Sequence, residues 1–531
     1  MALNRDRLHA LAVPLGLLVL AALLRLPDLA TRGTWDGDQG HDMLVLRALV
    51  RDGVWPLLGP PTSIGDVHHG ALYYYLLAPA AALTGGDSPL AVVFMIAVAG
   101  IAAVAVTWWL GRAIAGPVAG LVAGLAMAVS PATIDESTFI WNPNLIGLAS
   151  AVALAGAWRA WNTRRPVWWL LADAGTAVTM QCHVLGVTLL PIVGALLVAD
   201  IRRRPGGPER RAAVMAGLGG LGLIALSFLP LVIHELTTDF GEIRAAIAYL
   251  AGAGGSTAQG PLGRLVVIGV RVVSWPLIGL IADAFVAAAA AFAAVAAIVA
   301  WQSILGLGAQ RTAARWLGLG LAWTAVALTF ASPSLAIVIR ELPNDHYHAF
   351  ADPMVLVLIG IAAAALWRLA SPGRIVALVG VAAIVGWSAT HLPPAVHRDG
   401  GYPAAAAAAV RIEAAAGPGP IELRSLPDFK SVAAYAYPLV QGGRSLLTGE
   451  RVSSATLLQR DPAIGDPATA TASAESGSLV VICDRLFEAA IGAACGGPAE
   501  AGIVPADLGD PIDRFEAAPG RIISVYRAAG S

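Results

Sequence analysis

Residues 88–131 read SPLAVVFMIAVAGIAAVAVTWWLGRAIAGPVAGLVAGLAMAVSP, and Arg112 is their only charge. A bilayer core takes about 20 apolar residues as a helix. The stretch therefore reads as two membrane helices, about 88–110 and 117–131, turning at GRAIAGP. Working outward, comparable runs occur at about 8–26, 143–160, 166–182, 183–199, 213–233, 276–300, 316–333, 351–369 and 374–391, which makes about eleven spans. The whole chain of 531 residues agrees: 57% is hydrophobic and only 13% charged, about half the roughly 25% of a soluble protein. Disorder and a single soluble domain are excluded, and a net charge of −1 gives no global pull toward nucleic acid. The first run ends in LRLPDLATRG, without a small-residue cleavage site, so it reads as a retained anchor.

Arginine fixes the expected orientation. Arg5, Arg7, Arg112, Arg159, Arg164, Arg165, the RRRPGGPERR segment, Arg311, Arg315, Arg368 and Arg374 fall in alternate loops. That side should be cytoplasmic, with the N-terminus on it and the C-terminal tail outside after eleven crossings of a plasma membrane. Nine of the ten histidines fall on the opposite side, with only His9 inside. This concentration of titratable groups points to chemistry at the outer surface. The outer loops are expected at 27–89, 131–143, 234–275 and 334–350.

The first outer loop carries TWDGDQGHDMLVLRALVRDG, with Asp36, Asp38 and Asp42 beside His41, ahead of an amphipathic run that reads as an interfacial helix. Asp38 or Asp42 near its start is the expected cap, but three carboxylates exceed what one cap needs. Further on, His68 and His69 precede a second interfacial helix with Tyr73, Tyr74 and Tyr75. The pair suits a phosphate better than a metal, since no second ligand cluster is evident. The second loop offers Asp135, Glu136, Trp141, Asn142 and Asn144; later segments add His183, His234, Glu235, Asp239, Glu242, Arg340, Glu341, Asp345, His346 and His348. The segment 264–275, GRLVVIGVRVVS, is too basic for a comfortable span and reads as another interfacial helix. Asp173, at membrane depth, reads as a helix-packing residue.

Residues 392–531 hold 26 of the 69 charged residues, and this step in density marks a boundary. The expected organisation is a transmembrane domain over 1–391 and a small extracytoplasmic α/β domain over 392–531. In the tail, PAAAAAAVRIEAAAG should be helical, PIELRSLP, SLVVICD and RIISVYRA should be strands, and SATLLQRDPAIGDPATATASAESGS a loop. No catalytic signature appears there. Cys483 and Cys495 both lie in this tail and are expected to pair if it faces an oxidising compartment.

The order of an acidic first loop, two interfacial helices and a second outer loop resembles the GT-C superfamily of polyprenyl-phosphate-sugar-dependent glycosyltransferases. The likeness is to its dolichyl-phosphate-mannose protein mannosyltransferase and lipid A aminoarabinose transferase branches. Asp38-Gln39 of GDQGHD stands where those families carry an acidic pair. HGALYYY stands where they carry a basic–Pro–Pro–Leu–Tyr–Tyr stretch, with His69 in the basic position. The sequence departs at Gln39 and at Asn142, each in place of an acid, which weakens the case for a metal while leaving room for Mg or Mn.

The resemblance covers about residues 8–370. It implies an α-helical polytopic GT-C-like membrane protein that transfers a sugar, with inversion, from a polyprenyl-phosphate donor to a cell-envelope acceptor. Asp38 is then the expected base, with Asp36 and Asp42 in reserve. His68, His69 and Arg340 are expected at the donor phosphate. Gln39, Tyr74, Asp135, Glu136, Asn142, His183, Glu235 and His346 are expected to touch substrate. The alternative is a multipass transporter of a lipid-linked or small polar solute, whose site would sit near the membrane midplane; only Asp173 and Asp283 offer acids near that depth.

Overall fold

In lipid, a helix is the local structure that satisfies its own backbone polar groups, so each apolar run becomes one. The computed structural model describes residues 5–62, 67–251, 259–338, 345–446 and 477–527. It builds α1 (Arg5–Arg25), α2 (Gly37–Arg47), α3 (Leu72–Ala82), α4 (Pro89–Ala115), α5 (Pro117–Val129), α6 (Ile146–Thr163), α7 (Val167–Cys182), α8 (Leu189–Arg203) and α9 (Pro208–Ser227). There follow α10 (Pro261–Ile278), α11 (Phe285–Leu305), α12 (Gly308–Ala331), α13 (Asp352–Trp367), α14 (Ser371–Thr390), α15 (Gly401–Ala416) and α16 (Ala433–Gln441).

Eight helical stretches among the described residues are long and apolar enough to cross a membrane; Ala12–Arg25 and Pro117–Val129 are shorter apolar ones. α6 and α7 pack closely on each other inside the bundle and bury Trp158 and Trp169, so neither needs an apolar surface all round. The span expected at 276–300 is corrected: α10 ends at Ile278, Gly279 turns the chain at a φ of 86°, and α11 starts only at Phe285. The interfacial helix expected at 264–275 is the middle of α10, which is itself long and apolar enough to cross. Its polar contacts nevertheless lie beside loops: Arg271 donates to Asp345, Trp275 donates to Glu136, and Trp387 near the end of α14 donates to the Ile278 carbonyl.

One face of the bundle gathers the first loop, the segment 131–145, His183, the helical turn Asp345–Ala351 and the tail. Arg25, fully buried at the end of α1, ties this face together. Its Nη atoms donate to the carbonyls of Ala128 (2.8 Å) and Met127 (3.0 Å) and to Thr133 Oγ1 (3.0 Å), and Nε donates to Ser137 Oγ (3.3 Å). The last carbonyls of α5 lack partners within their own helix, and a cation suits that end.

The first loop holds an antiparallel pair, β1 (Leu58–Pro61) and β2 (His68–Gly70). The tail adds β3 (Ile421–Leu426), β4 (Ser478–Asp484), β5 (Asp513–Ala518) and β6 (Arg521–Arg527) in the order β3-β4-β6-β5, with β3 and β4 parallel. The expected helix and three strands are present; α16 and β5 are additions. The expected loop within 454–478 lies almost wholly outside the described residues. Cys483 and Cys495 form a disulfide.

The tail is not a separate bead. Tyr435, Tyr437 and Val480 are buried in the same continuous core as Trp35 and Tyr73. Trp35 Nε1 donates to the Ala434 carbonyl (2.8 Å), its ring lies 4.6 Å from Tyr402, and Asp399 accepts from Trp35 N and Thr34 Oγ1. Tyr437 donates to the Gly86 carbonyl and Gln441 to that of Asp87.

Replacing Arg25 by Met keeps bulk but strands several buried acceptors, which costs about 2–4 kcal/mol. Thermal unfolding of the purified protein should show a clearly lowered midpoint; an unchanged midpoint would remove Arg25 from its organising role.

Candidate functional site

The site starts with the cap of α2. Asp36, not Asp38 or Asp42, is the N-cap: its Oδ1 accepts from Gly37 N (2.7 Å), and Gln39 Oε1 accepts from Asp36 N (2.8 Å), completing a capping box. This corrects the expected cap. Asp36 also receives Arg521 of the tail at 2.9 Å and faces Lys430 Nζ at 4.0 Å. Gln39 spends its amide N–H on the Ile140 carbonyl (2.9 Å), pinning the first loop to the second.

With the cap supplied by Asp36, Asp38 is free of that duty. It stands in the first turn of α2, open to solvent, and no hydrogen bond or ion pair engages its carboxylate among the described residues. Crowding by protein, followed by repulsion from Asp36 and Asp42, raises its carboxyl to about 6, while Lys430 and His41 pull the other way. Water still reaches the side chain, which limits the desolvation share.

Asp42 lies one helical turn on, on the same face, and is buried. It accepts from Tyr73 (2.7 Å) and Tyr74 (2.8 Å). These bonds tie α2 to α3 and occupy both carboxylate oxygens of Asp42. Tyr74 is thereby occupied as well.

The histidines expected at the donor phosphate are held by different partners. His68 is held by Glu242, which accepts from its backbone N–H (2.6 Å) and bonds its ring (2.7 Å). Glu235 accepts from the backbone N–H groups of Glu242 and Ile243 and so starts the next helix. His69 is buried, accepts from Val184 N (3.3 Å), and faces the His183 ring at 4.7 Å. Burial, then the neighbouring His183 and His68, pushes its imidazole well below its ordinary range, and His183 falls to about 3 for the same first reason. Both are neutral donors or acceptors, not cations. A chain of rings continues from His183 to Tyr347 (4.5 Å), His346 (4.8 Å) and Trp141 (3.9 Å). Arg340 lies outside the described residues.

The second loop divides likewise. Asn142 donates to the Cys182 carbonyl. Asp135 is part-buried and raised to about 6 by burial, against the pull of His397 and Arg32. Glu136 is buried and accepts from Trp275 Nε1 (3.0 Å); burial first, then Asp135 and Asp345, raises it to about 8. Arg271 donates to both oxygens of Asp345 at 2.8 and 2.7 Å, and Asp352 is buried with neither oxygen hydrogen-bonded among the described residues. Sequence reading passed over Arg271, Asp352 and the two tail cations. An arginine inside the apolar run GRLVVIGVRVVS was a readable signal of a buried acidic partner.

Among the described residues, no three His, Cys, Asp or Glu side chains converge on a metal. Asp36 is turned to Arg521 and Asp42 to the tyrosines, so the donor set does not fit a divalent cation. Of the acids set against a midplane transport site, Asp173 packs against Gly220 of α9, where even a Cβ would clash.

Residues 68–233 match the family model described as dolichyl-phosphate-mannose-protein mannosyltransferase. ArnT from Cupriavidus metallidurans bound to undecaprenyl phosphate superposes with a TM-score of 0.62 at 12% identity, covering 97% of each chain. Its apo state gives 0.60 at 12% identity, covering 98% of each. No curated protein matches the chain in sequence. The ArnT likeness extends over the tail as well as the bundle, so the tail is part of the shared architecture and not an appended extra. The chain is a multipass membrane protein that shares the fold of ArnT.

Proposed function

We infer that the protein transfers a sugar from a polyprenyl-phosphate donor to a hydroxyl or amine of a cell-envelope acceptor, with inversion, on the face that carries the loops and tail. The single observation behind this is the uncommitted carboxylate of Asp38 between two carboxylates that are fully employed. The mannosyltransferase match over 68–233 and the undecaprenyl phosphate named with ArnT support a lipid-phosphate donor. An extracytoplasmic face and a cytoplasmic N-terminus follow from the arginine distribution.

The chemistry asks little of the chain. The acceptor oxygen or nitrogen attacks the anomeric carbon as its proton passes to Asp38. The bond from that carbon to the phosphate oxygen breaks, and its electron pair leaves with the polyprenyl phosphate. One displacement inverts the anomeric centre. Asp42, clamped by two phenols, fixes the helix turn that aims Asp38. The neutral ring nitrogens of His69 and His183 supply hydrogen bonds near the donor, and Arg340 remains the proposed cation for its phosphate.

Four outcomes are expected from purified protein given a polyprenyl-phosphate sugar and assayed for released polyprenyl phosphate. Asp38→Asn should lower transfer by about a hundredfold or more with membrane expression intact; near-normal transfer would sink the base assignment. The base is active when ionised, so kcat/KM should fall as pH drops below about 6 and level off above it. Asp36→Asn removes a repelling charge and should move that midpoint to lower pH; a profile fixed in place would detach it from Asp38. Tyr73→Phe combined with Tyr74→Phe leaves Asp42 buried without its donors, and should lower both stability and rate; unaltered kinetics would show that Asp42 positions nothing.

A further inference from the structure

The 531 residues contain one lysine, Lys430, and the tail carries it to the first loop. A tight turn presents it: Lys430 N donates to the Pro427 carbonyl (3.1 Å), and Ser425 Oγ donates to the Lys430 carbonyl (2.6 Å). The following residues press on the first turns of α2. A Cβ at Gly37 would come within 2.7 Å of Ser431 Cβ, and one at Gly40 within 2.0 Å of the Ala433 carbonyl oxygen. Only glycine permits this approach, so the turn with Lys430 is fixed against the same helical turn that carries Asp38.

The amine is not consumed where it stands. It is 4.0 Å from Asp36, whose charge Arg521 already meets at 2.9 Å, and a part-exposed pair at that distance contributes little. On its other side the amine rests 4.6 Å from the centre of the Phe487 ring. Phe429 meets that ring edge-on at 5.5 Å and is 61% exposed; Leu486 beside them is exposed too. A ring, an apolar rim and a three-donor ammonium next to a proton acceptor suit a sugar. Its C–H face covers aromatic carbon while its hydroxyls take N–H donors.

We propose that Phe429, Lys430 and Phe487 form an acceptor subsite, and that the acceptor is a carbohydrate. The assignment to acceptor rests on the transferase reading above. In-line displacement puts the incoming group and the departing phosphate on opposite sides of the transferred sugar. The lipid chain holds the phosphate at the membrane, so the acceptor enters from the side where the tail overhangs Asp38.

The sole lysine makes a direct test available. The full chain, purified in detergent, is treated with an amine-selective acetylating reagent, and the Lys430 peptide is followed by mass spectrometry apart from the terminal amine. The probes are an α-linked mannose tetrasaccharide, an arabinofuranose tetrasaccharide and a tetra-alanine peptide. At least one oligosaccharide should slow acetylation about threefold at saturating concentrations. No slowing by either, or equal slowing by the peptide, overturns the proposal. With the protecting oligosaccharide as acceptor, Lys430→Gln should raise KM about tenfold with a much smaller change in kcat, and Lys430→Arg should recover most of it. Equal losses in kcat and kcat/KM with no rescue would mark a merely structural residue. Protection needs no turnover: a chain that is protected by glycan but releases no polyprenyl phosphate would fail the transferase reading and keep the carbohydrate site.

Discussion

The arrangement of the loop face depends on one buried guanidinium. Arg25 ends the first helix and satisfies the last carbonyls of α5 together with Thr133 and Ser137. The start of the first loop is thereby fixed against the second. Gln39 repeats the connection a few residues later through the Ile140 carbonyl, and Trp275 joins α10 to the same segment through Glu136. A buried cation with every nitrogen hydrogen-bonded is costly to disturb, because its acceptors have no water to turn to.

Upon that frame, three aspartates within seven residues acquire three different jobs. Asp36 caps the helix and receives the tail. Asp42 is buried between two phenols. Asp38 keeps its lone pairs. The same sorting separates the histidines: His68 is hydrogen-bonded to Glu242, while His69 and His183 are buried and neutral in a row of rings. Among the described residues, this face thus presents the Asp38 carboxylate without a hydrogen-bond partner beside buried, uncharged rings.

Much of this was legible in sequence, for identifiable reasons. Apolar runs, the two short interfacial helices and the tail strands follow from periodicities of one element at a time. Asp38 stood out because its neighbours are of the same kind. What escaped were pairings between distant segments. Nothing local in LPDFK announces that Lys430 will face Asp36, nor in PGRII that Arg521 will bond it. The helix break after Ile278 was missed because PLIGLIADAFVAAAA is apolar on both sides of Gly279, and its one acid, Asp283, does not outweigh the run in hydropathy. The backbone partners of Glu235 and Asn142 were likewise out of reach, because polar residues in a loop look alike until the fold brings their partners together.

The bond between Asp36 and Arg521 closes a span of 485 residues. The loop is thus made long before the tail, with the helices from α4 to α14 synthesised between them. Until the tail has been delivered to the same side, Trp35 lacks Tyr402 and Tyr437 to pack on, and the start of α2 lacks its counter-charge. The membrane helices can insert in order, but this face matures only after the tail has been made. A chain interrupted before its last strand would present an apolar, half-built loop to the cell's quality control, so an unfinished copy is exposed as unfinished before it can act.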